Sequence, residues 1–137
     1  MTSYTPGLVL ASGCFDTIHP GHIAYFTECR KYGQKLVVAV TADEYVRKGP
    51  GRPAFSAEAR AQAVASLRLV DEVRIVATAS ATPLIRELRP QVYAKGMEYG
   101  TADLAGNLAD EQAAVAAYGG TFVLTDTMKG SSTRWLN

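Results

Sequence analysis

The two histidines of this 137-residue chain, His19 and His22, lie three positions apart on either side of a Pro-Gly step. They follow a short apolar run and precede a segment of helical periodicity, which predicts that a strand passes into a helix here. A helix start offers unpaired backbone N–H groups and the positive end of a dipole, and both favour a phosphate. Imidazoles beside it can donate hydrogen bonds to phosphate oxygens, and Gly21 leaves room for a close ligand. We therefore predict a phosphate site around these histidines.

The residues of the predicted phosphate site have two alternative interpretations. Cys14, Asp16 and the two histidines supply ligand types that zinc accepts, but their close spacing matches no familiar zinc pattern. A histidine is also often a structural residue, although this pair flanks Pro-Gly at a helix start. The phosphate interpretation is favoured, and the metal and structural interpretations stay open.

Three further polar segments follow predicted strands or open a helix. Residues 47–53 form a loop with glycines and prolines, in which Lys48 offers a compact positive charge suited to a polyphosphate. Residues 95–99 leave a short apolar run, and residues 130–134 place hydroxyl groups at the start of a terminal helix. A solvated basic loop and a simple helix cap are the competing interpretations of the first and last segments.

The composition excludes several classes of protein. With 47% apolar and 20% charged residues, the chain suits one domain, over residues 1–137, that needs no disulfide or metal to hold its core. Fourteen Lys and Arg against thirteen Asp and Glu do not favour a general nucleic-acid or acidic-membrane binder. Cys14 and Cys29 form no CxxC pair, and the N-terminal apolar run is too short for a signal peptide or membrane span. We expect a cytoplasmic protein with reduced thiols that contacts neither nucleic acid nor membrane.

Predicted strands and helices alternate along the chain, since continuous apolar runs alternate with periodic segments that have cap residues at their ends. The strands are predicted over 8–11, 36–40, 70–76, 92–94 and 121–124, and the helices over 21–32, 56–67, 82–89 and 107–118. This order predicts an α/β fold: a doubly wound, Rossmann-like, five-stranded parallel sheet with helices on both faces, in a strand order that the pattern does not specify. Ligands bind at the carboxyl ends of such strands, which selects residues 12–22, 41–53, 95–100 and 125–133.

The polar segments together resemble, in order, the motifs of the nucleotidyltransferase superfamily. Residues 19–22 are similar to its His-x-Gly-His signature, and a Gly-Cys-Phe-Asp turn precedes them as in many members. The Lys-Gly-x-x-Arg-Pro loop, the Ser-x-Glu-x-Arg helix start, the Lys-Gly-x-Asp-Tyr segment and the Ser-Thr-Thr motif have counterparts at residues 48–53, 56–60, 95–99 and 132–134. The similarity spans residues 8–136 and is greatest to the cytidylyltransferase-like family, which includes heptose-1-phosphate adenylyltransferases and glycerol-3-phosphate cytidylyltransferases.

The resemblance implies a role for each matching residue. His19 and His22, on the α-phosphate, and Lys48, on the triphosphate or the acceptor phosphate, are the predicted catalytic residues. The predicted nucleotide-binding residues are Gly13, Cys14, Phe15, Asp16, Gly21, Lys95, Gly96, Ser131, Ser132 and Thr133. The predicted acceptor-binding residues are Arg52, Arg60, Glu98 and Tyr99; Glu98 stands where the family usually has aspartate, and an exposed helix arginine is the alternative interpretation of Arg60.

The resemblance also implies a reaction. The chain is expected to be an enzyme that moves a nucleoside monophosphate from a nucleoside triphosphate to a phosphorylated small molecule and releases pyrophosphate. ATP with a sugar phosphate such as heptose 1-phosphate is favoured over CTP with a polyol phosphate such as glycerol 3-phosphate, and a nucleotide-binding module without catalysis is a further alternative. Mg²⁺ is expected to bridge the phosphates, with no protein ligand assigned, and a homodimer is expected as in related enzymes.

Overall fold

Five strands and four helices alternate in the part of the chain that the computed structural model describes, residues 3–46, 51, 53–96 and 107–125. The strands are β1 (Thr5–Gly13), β2 (Lys35–Thr41), β3 (Glu72–Val76), β4 (Pro90–Gly96) and β5 (Thr121–Thr125). The helices are α1 (Pro20–Arg30), α2 (Ala57–Ala65), α3 (Thr82–Leu88) and α4 (Asn107–Ala116), and a 3₁₀ turn covers Asp43–Tyr45. The five strands and four helices predicted within these residues are all present, with bounds that differ by up to three residues. The predicted terminal helix lies outside the described part of the chain.

The strands form one parallel sheet in the order β3-β2-β1-β4-β5. The chain winds from β1 through β2 to β3 in one direction and then crosses to β4 and β5 on the other side of β1. This confirms the predicted doubly wound α/β fold and adds the strand order. The winding direction reverses between β1 and β4, so their carboxyl ends, at Gly13 and Gly96, border the crevice in which such sheets bind ligands.

Helices cover both faces of the sheet and enclose two apolar cores. Successive residues of a strand point to opposite faces, so β1 contributes Val9 and Ala11 to one core and Leu10 to the other, all fully buried. The first core contains residues of α1 and α2, and the second contains residues of α3 and α4. The edge strands β3 and β5 are less covered, and they expose Ile75 and Leu124. None of the described helices is long and apolar enough to cross a membrane.

Gly33, which follows the end of α1, allows a close approach between two segments of backbone. The helix already ends at Arg30, and its cap residue Lys31 keeps right-handed helical backbone angles. A Cβ atom at Gly33 would lie 2.5 Å from the carbonyl oxygen of Gly7, closer than atoms can pack. Glycine is therefore needed here because the turn after α1 approaches the backbone of β1 closely.

Candidate active site

The loop between β1 and α1 carries the two histidines to the crevice beside β4. His19 is the N-cap of α1, with extended backbone angles, and Pro20 occupies the first helical position, where its fixed φ suits the helix. His19 Nδ1 accepts a hydrogen bond from the backbone N–H of Gly21 at 3.0 Å. His22 Nδ1 accepts one from the backbone N–H of His19 at 3.2 Å. The two side chains thus form a reciprocal capping box, in which imidazole nitrogens satisfy helix-start N–H groups.

These capping bonds determine which ring nitrogen of each histidine carries the proton. A nitrogen that accepts a backbone N–H has no proton of its own, so each neutral imidazole is protonated at Nε2. The His19 and His22 rings stack, with centroids 3.8 Å apart and planes 28° apart. The Phe15 ring packs against the His22 ring in a T-shaped contact at a centroid distance of 5.1 Å, and His22 is buried while His19 is partly exposed. The arrangement therefore places two stacked imidazoles, each with its proton on Nε2, at one helix start.

The turn before the histidines is shaped by close packing. Phe15 is 4% exposed and has a left-handed φ of 51°, an uncommon conformation for a bulky residue. Its ring packs against Phe26 of α1 at a centroid distance of 5.3 Å. A Cβ atom at Gly13 would lie 2.8 Å from that ring, so glycine at this position lets the Phe15 ring fold back under the turn. Both residues were predicted to bind nucleotide, and the structure shows them shaping the loop.

Asp16 connects the same turn to the segment that precedes α2. Its carboxylate, 4% exposed as a residue, accepts hydrogen bonds from the backbone N–H groups of Ala54 at 2.7 Å and Phe55 at 3.0 Å. Asp16 was also predicted to bind nucleotide. Both of its carboxylate oxygens hold backbone of this chain, so its observed contacts are those of a residue that fixes the loop.

Arg60 of α2 is buried at the carboxyl ends of β1 and β2, and it is only 2% exposed. Its Nε donates to the Phe55 carbonyl at 2.9 Å, and its Nη1 donates to the Cys14 and Thr41 carbonyls at 2.8 and 2.7 Å. Its Nη2 pairs with Asp43 Oδ1 at 2.6 Å. We call this group the Arg60 cluster. Four of the five guanidinium N–H groups are used within it.

This enclosure corrects one interpretation of Arg60. Arg60 is not an exposed helix arginine, because it lies on the same buried face of α2 as Ala57 and Val64. Its predicted contact with an acceptor stays a prediction, although its donors already hold three carbonyls and a carboxylate around the histidine loop.

Lys95, predicted to bind nucleotide, is held by residues that the sequence interpretation missed. Its Nζ lies 3.2 Å from Glu111 Oε1, 3.4 Å from Ser12 Oγ and 3.5 Å from Tyr93 Oη. Tyr93 donates to Glu111 Oε1 at 3.0 Å and shares a hydrogen bond with Ser12 Oγ at 2.6 Å, and Glu111 Oε2 accepts from the Ala81 N–H at 2.8 Å. We call Glu111, Lys95, Tyr93 and Ser12 the Glu111 cluster. Gly96, also a predicted nucleotide-binding residue, follows Lys95 as the last residue of β4.

Two tyrosines bridge β1 and β4 at this end of the sheet, one on each face. Tyr25 of α1 donates to the Ala94 carbonyl and accepts from the Ser12 N–H at 3.2 Å, while Tyr93 reaches Ser12 from the opposite face. Burial raises the pKa of Tyr25 well above its usual value. Burial, followed by the nearby Glu111 carboxylate, raises the pKa of Tyr93 in the same way. Both hydroxyls therefore stay protonated at neutral pH and hold the two central strands together.

The thiols and carboxylates of the described residues do not form a metal centre. No group of three or more His, Cys, Asp or Glu among residues 3–46, 51, 53–96 and 107–125 is arranged to hold an ion. This disagrees with the alternative of a zinc site at the histidine loop. Cys14 and Cys29 are both free, and burial raises the pKa of Cys29 to about 12, so that it is a poor nucleophile.

Several predicted site residues lie outside the described part of the chain. They are Lys48, Arg52, Glu98, Tyr99, Ser131, Ser132 and Thr133. Their roles stay predictions.

Comparison with known proteins assigns the chain to a family. A model of the family described as cytidylyltransferase-like matches residues 10–134. The chain is 39% identical over 128 residues to the bifunctional protein HldE of Gluconobacter oxydans and to that of Pseudomonas entomophila. These matches cover 92% of this chain and 26% of each relative, so the chain spans about a quarter of their length.

Solved structures share the fold. The lipopolysaccharide core biosynthesis protein of Thermoplasma volcanium is 28% identical, with a TM-score of 0.68 over 85% of this chain and 92% of that one. The pantothenate synthetase of Thermus thermophilus, at 13% identity and a TM-score of 0.58, covers 87% of this chain and 55% of that one, and it shares the fold alone. Because the family match extends over most of the chain and includes the histidine loop, this chain belongs to the cytidylyltransferase-like family of nucleotidyltransferases.

Proposed function

We propose that this chain transfers a nucleoside monophosphate from a nucleoside triphosphate to a phosphorylated small molecule. The observation that carries the proposal is the stacked pair His19 and His22, whose Nδ1 atoms are both occupied by capping hydrogen bonds. A site for binding alone does not need two imidazoles with fixed Nε2 protons. Charge that develops on an α-phosphate does need such preorganised donors.

The proposed reaction has a simple atom balance. A phosphate oxygen of the acceptor forms a bond to the α-phosphorus, the bond from that phosphorus to the bridging oxygen breaks, and pyrophosphate leaves. A phosphate monoester is largely ionised near pH 7, so the attacking oxygen needs no general base. The protein then acts by positioning and charge stabilisation, and the histidines donate from Nε2 to the α-phosphate oxygens in the transition state.

Residues outside the described part of the chain would complete the site. Lys48 is assigned to the triphosphate or the acceptor phosphate, and Ser132 and Thr133 to the β- and γ-phosphates. Mg²⁺ is expected to arrive with the triphosphate. The described residues do not fit a protein-held magnesium site, since both Asp16 carboxylate oxygens accept backbone N–H groups and no acidic cluster accompanies them. We therefore assign no step of the reaction to the metal.

ATP and a sugar phosphate are the proposed substrates. The motifs resemble those of heptose-1-phosphate adenylyltransferases, and the similarity to a protein of lipopolysaccharide core biosynthesis favours a sugar acceptor. CTP with a polyol phosphate is the second candidate, because the matching family is described as cytidylyltransferase-like. We further propose that the protein acts in the cytoplasm, in agreement with its two free thiols, and as a homodimer.

The first test is acceptor-dependent pyrophosphate release. The protein is incubated with Mg²⁺ and each nucleoside triphosphate, with and without a panel of sugar and polyol phosphates. Release with ATP and a sugar phosphate supports the full proposal, and release with CTP and a polyol phosphate supports the alternative. Tight nucleotide binding without release for any acceptor would indicate a binding module and would overturn the proposal.

The histidine assignment is tested by separating chemistry from helix capping. Asparagine is a good N-cap residue, so His19→Asn retains an acceptor for the Gly21 N–H but removes the imidazole Nε2–H. We expect turnover to fall by about 10²–10³-fold in His19→Asn and in His22→Ala. Thermal unfolding should show that His19→Asn remains folded at the assay temperature. Near-normal turnover in both variants would contradict the assignment.

A further inference from the structure

The ammonium of Lys95 lies between the protein interior and the ligand crevice. The Lys95 side chain is 32% exposed, whereas that of its partner Glu111 is 2% exposed. Lys95 is the penultimate residue of β4, beside the end of β1, where the winding of the sheet reverses. A flexible lysine at this edge has many rotamers, and only some of them direct its charge toward a ligand.

Glu111 is fixed more firmly than the lysine that it holds. One carboxylate oxygen accepts from the Ala81 N–H, at the residue before α3, and the other accepts from the Tyr93 hydroxyl of β4. The Glu111 carboxylate is thus held by the N-cap residue of α3 and by β4, independently of its contact with Lys95. Tyr93 is itself fixed by Ser12 of β1, and Ser12 Oγ also lies beside the Lys95 ammonium.

We propose that Glu111 is a positioning residue for Lys95 and orients its ammonium toward the phosphates of the bound nucleotide. This inference rests on the proposed function, since it needs a nucleoside triphosphate at the carboxyl ends of β1 and β4. Glu111 does not touch the ligand; it acts through Lys95. Because Lys95 is assigned to binding and not to the reacting atoms, its orientation affects the nucleotide KM more than kcat.

A purely charge-balancing role for Glu111 predicts the opposite effect. Glu111 carries a negative charge near a polyanion, so its removal by Glu111→Gln would strengthen nucleotide binding if only the charge mattered. If position matters, the released lysine loses its orientation and binding weakens. The sign of the change in nucleotide affinity therefore separates the two roles.

The experiment measures ATP affinity by calorimetry, with kcat and KM from pyrophosphate release, in the full chain. We expect Glu111→Gln to raise the nucleotide Kd and KM by about tenfold, as for the loss of one oriented charge-assisted hydrogen bond, with kcat within about twofold. Glu111→Asp keeps the charge but shortens the side chain by one methylene, so a positioning role predicts a rise of several-fold there as well. A charge role predicts no change for Glu111→Asp.

Two further variants complete the design. Asp110→Asn removes the same charge from an exposed neighbouring position on α4 and should leave the Kd unchanged. In a Lys95→Met background, Glu111→Gln should have no additional effect on the Kd, because the partner through which it acts is gone. Tighter binding in Glu111→Gln, an unchanged Glu111→Asp, or an undiminished effect in the Lys95→Met background would overturn the inference. Wild-type protein that binds neither ATP nor CTP would instead refute the proposed function, and the inference with it.

Discussion

The Arg60 cluster and the Glu111 cluster each bury a charge at the same end of the sheet, but they use it differently. Arg60 donates to three backbone carbonyls and to Asp43, all within this chain, and its side chain is 1% exposed. Glu111 is equally enclosed, but one of its three partners, Lys95, reaches the solvent-accessible crevice. A buried charge with only internal partners maintains the loop, whereas a buried charge with an exposed partner can also affect a ligand.

The largest effect is expected from removal of the Arg60 guanidinium. Arg60→Leu leaves three carbonyls of the histidine loop and its neighbours without their donor, in a place closed to water. We expect the free energy of unfolding to fall by about 3–5 kcal/mol, because each of the three carbonyls loses a hydrogen-bond donor at a cost of about 1–3 kcal/mol. Urea unfolding measures this loss, and Arg68→Leu, at an exposed position after α2, should change it by less than about 0.5 kcal/mol. A loss as small as that of the control would show that the Arg60 cluster does not stabilise the site.

Because of Tyr93 in the Glu111 cluster, the free energy of unfolding should fall at alkaline pH. The raised pKa of Tyr93 means that folded protein keeps this proton while unfolded chains release it above about pH 10. The stabilisation is therefore complete below pH 10 and is lost as the pH rises toward the folded pKa, by about 1.4 kcal/mol per pH unit.

Tyr93→Phe tests this contribution. Tyr25 and Cys29 also have raised pKa values. They contribute equally to the pH dependence of the unfolding free energy in the wild type and in the variant. Unfolding between pH 9 and 11 should therefore show a shallower fall of stability in the variant than in the wild type. Parallel curves would mean that the Tyr93 hydroxyl is not protected by its burial. Arg60→Leu, in the other cluster, should leave the slope of the wild type intact.

The smallest effect is expected at Ser12. Ser12→Ala removes one partner from Tyr93 and one from Lys95, but leaves both of them bonded to Glu111. We expect a loss of about 1 kcal/mol in unfolding free energy, with a rise in nucleotide KM below that of Glu111→Gln. A larger rise than in Glu111→Gln would show that Ser12, and not Glu111, holds the lysine.

Much of the fold was predictable because local signals agree with one another. Apolar runs marked β1 and β2, Ser56 marked the start of α2, where it accepts from the Ala59 N–H, and Pro83 marked the start of α3. The strand order was not predictable, since it depends on which strands pair over long sequence separations. Bounds shifted where backbone pairing extends a strand beyond its apolar residues, as at Thr5 of β1.

The motifs of the site were predictable from the sequence, but the buried residues that hold them in place were less so. The histidine loop was recognised from its residue types, but the roles of Arg60 and Glu111 depend on contacts with distant segments. A signal was nevertheless available for both residues. Arg60 shares the buried face of α2 with Ala57 and Val64, and Glu111 shares that of α4 with Ala114 and Val115. A charged residue within an apolar helical stripe indicates a buried ionic contact.

In the reciprocal cap of α1, the same two histidines stabilise the start of the helix and are the proposed catalytic residues. The atoms that secure the first turn belong to the same rings that would act on the ligand. A descendant of this protein that abandoned the reaction would have no reason to retain imidazoles, but it would still need an acceptor at position 19. Such proteins should carry asparagine, aspartate or serine there. That replacement would distinguish an inactive relative from an active enzyme by its sequence alone.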